Sequence, residues 1–195
     1  VSSVVPQLNM ALEDVCQAAF GFEPLMVGPG IKTGLVLQVD NPKEVGADRI
    51  VNAVGALEDH TGPLIILDFG TATTFDVVSA KAEWQGGVIV PGVALSADTL
   101  FERCAKLPRV EIRIPPHAIG RDTASSIRSG LTYGYADMVD GLVERMIAEM
   151  KTPATVVATG GLAKIIAEVA RRINVVDPLL RSEERRVGKE CRSRW

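Results

Sequence analysis

A layered α/β fold is the architecture this sequence predicts, and three observations predict it. The apolar run Leu64-Ile65-Ile66-Leu67 reads as a buried strand that leads into Asp68, Gly70 and the hydroxyls of Thr71, Thr73 and Thr74. Two further strand-like segments, Thr74 to Val78 and Gly87 to Val90, follow it closely and suggest an antiparallel meander. Beyond them, helical patterns alternate with short strands, which places helices on a sheet.

The elements follow in order. Val1 to Val5 reads as a strand, and after Pro6 the spacing of Leu8, Leu12, Val15, Ala18 and Ala19 predicts a helix that stops at Gly21. Leu25-Met26-Val27 is a short strand closed by a Gly28-Pro29-Gly30 turn, and Leu35 to Val39 is weakly strand-like before Asn41-Pro42 breaks it. A helix begins at Ala47 with Ile50, Val51, Val54 and Leu57 as its buried stripe and Asp48 in its first turn. Thr61-Gly62-Pro63 is the expected boundary between a first segment, 1–62, and a second, 63–180. After the meander come a helix from Leu95 to Leu107, a Pro-containing loop ending in Gly120-Arg121-Asp122-Thr123, and one long helix from Ala124 to Met150. Thr155 to Ala158 is a strand, Thr159-Gly160-Gly161 a turn, Ala163 to Ile173 a helix, and Val175-Val176 a last short strand.

Composition narrows the function. The 195 residues are 47% hydrophobic and 23% charged, enough for one large or two small folded units. A net charge of −3 gives no electrostatic reason to expect nucleic acid as a partner. No apolar stretch approaches the roughly 18 residues of a membrane span, and no secretory leader is visible. Cys16, Cys104 and Cys191 share no metal-binding spacing and read as reduced thiols of a cytoplasmic protein. Residues 181–195 carry six Lys/Arg against three Asp/Glu, a net of +3, and few apolar residues. That stretch is expected to be disordered, resembles vector-derived sequence, and is left out of the fold reading.

The chemistry gathers around Asp68. A carboxylate that can hold a cation, beside a tight turn with backbone and hydroxyl donors, is what a nucleotide-dependent phosphotransferase uses; a hairpin turn that merely contains Asp and Gly is the plainer alternative. Asp48 and Arg49 open a helix, where an acid and a surface base are also common for helix stability alone. Asp122 and Thr123 are good capping residues for the long helix. Gly130, Gly134 and Gly141 thin one side of that helix, each at a cost of about 1 kcal/mol against alanine, so close packing within a subunit or across a dimer is expected.

The order of these motifs is more specific than any one of them. Val45-Gly46-Ala47-Asp48-Arg49, Asp68-Phe69-Gly70-Thr71, Gly86-Gly87-Val88-Ile89-Val90-Pro91-Gly92, Gly120-Arg121-Asp122-Thr123 and Thr159-Gly160-Gly161 together resemble the type III pantothenate kinases. These belong to the superfamily of sugar kinases, Hsp70 and actin. The resemblance implies ribonuclease-H-like units, the first of them incomplete in this sequence, around a nucleotide cleft. It implies ATP-dependent phosphorylation of pantothenate to 4'-phosphopantothenate, the first step of coenzyme A synthesis, by a homodimer. Within it, Asp48 is the base for the pantothenate hydroxyl; Gly46, Ala47, Arg49 and Thr123 contact pantothenate; Asp68 holds a monovalent cation, K+ or NH4+; Gly70 and Thr71 meet the ATP phosphates; and Thr159, Gly160 and Gly161 meet the adenosine. Mg2+ arrives with the nucleotide. For Thr159-Gly160-Gly161 a plain strand-to-helix turn is an equal reading. The family's opening Asp-x-Gly-Asn-Thr phosphate loop is absent from this sequence, so little kinase activity is expected of the polypeptide as written. Val39 stands where many relatives carry a substrate-contacting Tyr. A regulatory protein of the Bvg accessory factor kind, or another phosphotransferase of the superfamily, are the competing readings; the second would lack the Gly46-to-Arg49 motif.

Overall fold

The computed structural model describes residues 6–24, 27 and 33–180. The expected strand at Val1 to Val5, the Gly28-Pro29-Gly30 turn, most of the Leu25–Val27 strand and the 181–195 stretch lie outside those residues. Six strands form one sheet in the order β1-β4-β3-β2-β5-β6. These are β1 (Val36–Leu37), β2 (Leu64–Phe69), β3 (Ala72–Val78), β4 (Glu83–Pro91), β5 (Thr155–Gly160) and β6 (Val175–Val176). β2, β3 and β4 are an antiparallel meander, and β5 and β6 add on parallel to β2. Three antiparallel strands flanked by two parallel ones on the side of the first is the ribonuclease-H-like strand order. β1 joins the far edge, parallel to the start of β4.

The period of two along each strand sorts the side chains onto two faces. One face carries Ile65, Leu67, Phe69, Phe75, Val77, Val156 and Ala158. It is covered by α3 (Val93–Arg103), α4 (Thr123–Ser129), α5 (Tyr135–Met150) and α6 (Ala163–Ala167). The other carries Leu64, Ile66, Val78 and Val157 under α2 (Ala47–Asp59). α2 and β1, from before the expected boundary at residues 61–63, therefore share this sheet's core. α1 (Pro6–Phe20) matches the expected first helix, and much of its apolar side, including Leu8, Met10, Val15 and Phe20, is exposed.

Four elements differ from expectation, each for a local reason. The residues of α2 that press on the sheet are Ile50, Ala53 and Ala56, whereas Val51, Val54 and Leu57 are only half-buried. Small alanines let the helix axis come close to the strands, which a stripe of large residues would not. α3 starts two residues earlier than expected, at Val93, and stops at Arg103. The long helix is continuous from Thr123 to Met150 but widens into one π turn at Gly130–Gly134. Among the described residues, its glycines there and at Gly141 have nothing beyond their own helix within 4 Å of where a Cβ would stand. α6 has five residues rather than eleven. Beyond it the buried Asp140 carboxylate accepts the backbone N–H groups of Arg171 (2.9 Å) and Arg172 (2.9 Å), drawing the chain out of helical register.

Candidate functional site

α2 begins at Gly46, whose extended backbone lets the Gly46 carbonyl accept the first helical N–H groups, from Arg49 and Ile50. Asp48 turns back over this end and accepts the Arg49 N–H at 2.9 Å. A Cβ on residue 46 would stand 2.5 Å from Asp48 Oδ1, so glycine there makes room for the carboxylate. Ala47 is buried beside it.

One turn further along, Asn52 lies on the same helix face as Asp48 and is fully buried. Its Nδ2 donates to Asp68 Oδ2 at 3.0 Å. Asp68 is thus inside β2 rather than at its exit, and it is 5% exposed. The strand register places Thr74 of β3 and Thr159 of β5 directly opposite it, so that Thr74, Asp68 and Thr159 form one row on the α2 face. Asn52 Oδ1 and Thr74 Oγ1 are buried with no hydrogen-bond partner among the described residues. Gly160 ends β5 with φ +96°, and a Cβ there would sit 2.8 Å from Asp68 Oδ1 and 2.6 Å from the Phe69 carbonyl oxygen. Both its backbone angle and its crowding require glycine.

Residues 70 and 71 form the tip of the β2–β3 hairpin. The Gly70 N–H is used within the turn, donating to the Ala72 carbonyl at 3.1 Å, and Thr71 is exposed. The Gly92 N–H, at the start of α3, donates to the Thr71 carbonyl at 3.0 Å and packs this second turn against the first. Thr73 points to the opposite face from Asp68, so the three clustered threonines divide between the hairpin tip, the α5 side and the α2 side. Gly161 follows β5 and leads into α6.

Arg49 does not reach out into solvent. Its Nε donates to Asp76 Oδ1 at 2.8 Å, its Nη2 to the Phe75 carbonyl at 3.3 Å, and its guanidinium carbon stands 4.9 Å from the centre of the Trp84 ring. Trp84 Nε1 donates to the same Asp76 oxygen at 2.9 Å. Asp76 is fully buried on β3, and burial pushes its carboxyl up to about 6 against the opposing pull of Arg49 and of the Trp84 hydrogen bond.

Thr123 is placed apart. It is the exposed first residue of α4, behind Asp122, whose carboxylate accepts the Ser125 N–H at 2.8 Å in a capping box. That backbone hydrogen bond from Ser125, with the Ser125 side chain, holds the Asp122 carboxyl below its usual range. α4 belongs to the helix layer on the α5 side, where Ile127 packs against that core.

Asp48, Arg49, Asp68 and Thr159 therefore meet in one seam between α2 and the sheet, with the 70–71 turn and Gly160 at its end. Asn52, Asp76 and Trp84 were not anticipated. Their signal was a polar residue on an otherwise apolar face, at Asn52 among the alanines and at Asp76 within Phe75-Asp76-Val77-Val78.

Comparison with known proteins agrees with this geometry. The family model described as type III pantothenate kinase matches residues 1–145. A type III pantothenate kinase of Bacillus cytotoxicus is 53% identical over 180 residues, covering 92% of this chain and 69% of its own length. One from Myxococcus xanthus is 52% identical over 187 residues, covering 96% and 73%. Among solved structures, a Baf family protein of Campylobacter jejuni, described as a transcriptional activator, superposes with a TM-score of 0.63 at 19% identity, over 97% of this chain and 81% of its own. That likeness shows the fold. At more than half identity across nearly its whole length, and with the Gly46-to-Arg49 and Asp68-to-Thr71 motifs set on one seam, the chain belongs to the type III pantothenate kinase family.

Proposed function

We propose that the seam between α2 and the sheet transfers the γ-phosphoryl group of ATP to the primary hydroxyl of pantothenate, giving 4'-phosphopantothenate for coenzyme A synthesis. The observation that carries this reading is the Asn52–Asp68 hydrogen bond. It ties the helix face that bears Asp48 to the strand that bears the second carboxylate. Phosphoryl transfer asks the protein chiefly to position the nucleophile and to stabilise charge. Asp48 accepts the proton of the attacking hydroxyl. Gly46 and Ala47 line the acceptor, and Arg49 binds an anionic oxygen, of the pantothenate carboxylate or of a phosphate. Gly70 and Thr71 approach the triphosphate, while Thr159, Gly160 and Gly161 leave room for adenosine. Thr123 contributes a hydroxyl to pantothenate in this reading.

Asp68 fits a monovalent cation. It offers a buried carboxylate with one oxygen fixed by Asn52 and the other beside Gly160, a set of hard oxygens that suits K+ or NH4+ better than a soft metal. When bound, such an ion neutralises charge near the triphosphate, and Mg2+ comes with the nucleotide. Family membership favours the enzyme over a Bvg accessory factor-like regulator, and the acidic balance of the chain agrees with that. No helix among the described residues is long and apolar enough to cross a membrane. A homodimer pairs through the open glycine side at Gly130, Gly134 and Gly141; sedimentation as a monomer at micromolar concentration would refute this.

The test is a coupled assay of ATP-dependent pantothenate phosphorylation in the intact protein. Asp48→Asn is expected to lower kcat by roughly a hundred- to ten-thousandfold with the melting temperature unchanged. Equal rates for the two proteins would remove Asp48 from the mechanism.

A further inference from the structure

The Arg49–Asp76–Trp84 cluster is unusual for a region that only has to be stable. Asp76 is fully buried, its Oδ1 accepts two hydrogen bonds, and its Oδ2 has no partner among the described residues. A buried ion pair with a half-satisfied acid contributes little to stability, and apolar residues of similar volume often do better. The chain nevertheless shapes its backbone around this cluster. Between Val77 and Val78 the β3–β4 register slips by one residue, and Gly86 takes φ +114° at the irregularity. Because side chains alternate, that slip brings Trp84 onto the same face as Gly87 and Ile89. At residue 87 any side chain would collide with the Phe75 carbonyl and stand 2.7 Å from Arg49 Nη2, so glycine leaves the path of the guanidinium clear.

We propose that Asp76 is a positioning residue for the phosphotransfer site: with Trp84 as a platform, it fixes Arg49 so that one edge of the guanidinium is used internally and the other is offered to an anionic oxygen of a substrate. The inference rests on the reading of Arg49 as a substrate-binding residue given above. Of the five guanidinium donors, Nε and one Nη2 hydrogen are spent on Asp76 and Phe75. The Nη1 group makes no hydrogen bond to the described residues. The strip of β4 alongside, Gly87, Ile89 and Pro91, is exposed on the same face, and the Arg49 side chain keeps 13% of its own surface exposed. A guanidinium held on three sides loses little side-chain freedom when it binds, which is how pre-organisation raises affinity.

The anionic oxygen can belong to pantothenate or to ATP, and steady-state constants for both, measured on the intact protein, separate the two. Arg49→Met identifies the substrate whose KM rises. Asp76→Ala is expected to raise that same KM roughly tenfold or more, with kcat changed much less, and Asp76→Asn, which keeps an oxygen facing Arg49 and Trp84, is expected to recover most of the loss. The decisive comparison is Asp76→Leu in the Arg49→Met background. This double variant buries no charge in the cluster and so folds even where Arg49→Met alone is unstable. There the Asp76 substitution is expected to add less than about twofold, because it acts only through Arg49. A purely structural Asp76 would instead give independent, multiplying losses, and that result overturns the proposal. If Arg49→Met moves neither KM, the substrate role of Arg49 fails and the positioning role with it. If Arg49→Met raises a KM and Asp76→Ala does not, the positioning role alone fails.

Discussion

The two faces of the central sheet are built from alternate residues of the same strands, yet they obey different rules. Toward α5, Ile65, Leu67, Phe69, Phe75 and Val77 form an apolar layer with Val139, Val143 and Ile166, broken by the buried hydroxyl of Thr73. Toward α2, the same strands are apolar at Leu64, Ile66 and Val78 but polar at Asp68, Thr74 and Asp76. The first face meets the dense packing expected of an interior. The second takes two strand carboxylates, Asp68 and Asp76, out of water, which costs stability. One face secures the sheet, and the other spends part of that security on placing charged groups under a helix terminus.

The largest effect on stability therefore belongs on the α5 face. Phe75 is fully buried there, and Phe75→Ala is expected to cost about 3–5 kcal/mol in urea unfolding. Its neighbour Asp76, replaced by Leu together with Arg49→Met, is expected to change stability by far less, or to raise it. If both changes cost the same, the two faces do not differ in the way argued here.

A second effect is read in pH. Burial raises Asp76 to about 6 from an ordinary 3.8, with Arg49 and Trp84 pulling it down and the nearby Asp48 adding to the rise. The folded protein then holds this proton more tightly than the unfolded chain does. The contribution is present below about pH 4 and is lost as pH rises through 6. Asp76→Asn has no such proton. The stability of the wild type relative to Asp76→Asn is therefore expected to fall by about 2 kcal/mol between pH 4 and pH 7. A gap that stays constant across that range would show that Asp76 is not desolvated by the α2 face.

Much of this was legible in the sequence, and what was not has physical causes. The meander and the parallel strands follow from apolar runs bounded by turns, and Asp48 and Asp68 stand out because each belongs to a recognisable motif. Asn52 and Asp76 belong to no motif. Their meaning depends on which face they share with Asp68, and a single register slip at Val77/Val78 decides that for Trp84. The α2 stripe was misjudged because size, not hydrophobicity, selects the residues that touch a sheet at close range. The early end of α6 depends on Asp140, about thirty residues earlier in the chain, which competes for its backbone donors.

The smallest effect sharpens the comparison from outside both faces. Asp122 caps α4 from an exposed position, with reciprocal hydrogen bonds to Ser125. Asp122→Ala removes an acceptor for an otherwise unpaired helical N–H and is expected to lower the unfolding midpoint slightly. Because the Asp122 carboxyl is held below its usual range, the contribution is complete at neutral pH. It is lost as pH falls through that lowered value, the opposite direction to Asp76. Thr123 is the next residue, so the same variant separates its two possible duties. If Thr123 reaches pantothenate from the helix start, loosening the cap raises the KM for pantothenate while the KM for ATP stays fixed. If Thr123 serves only the helix, both constants hold and only the unfolding midpoint moves. A cap that costs nothing at pH 7 would mean that α4 draws its stability from Ile127 and the α5 face alone.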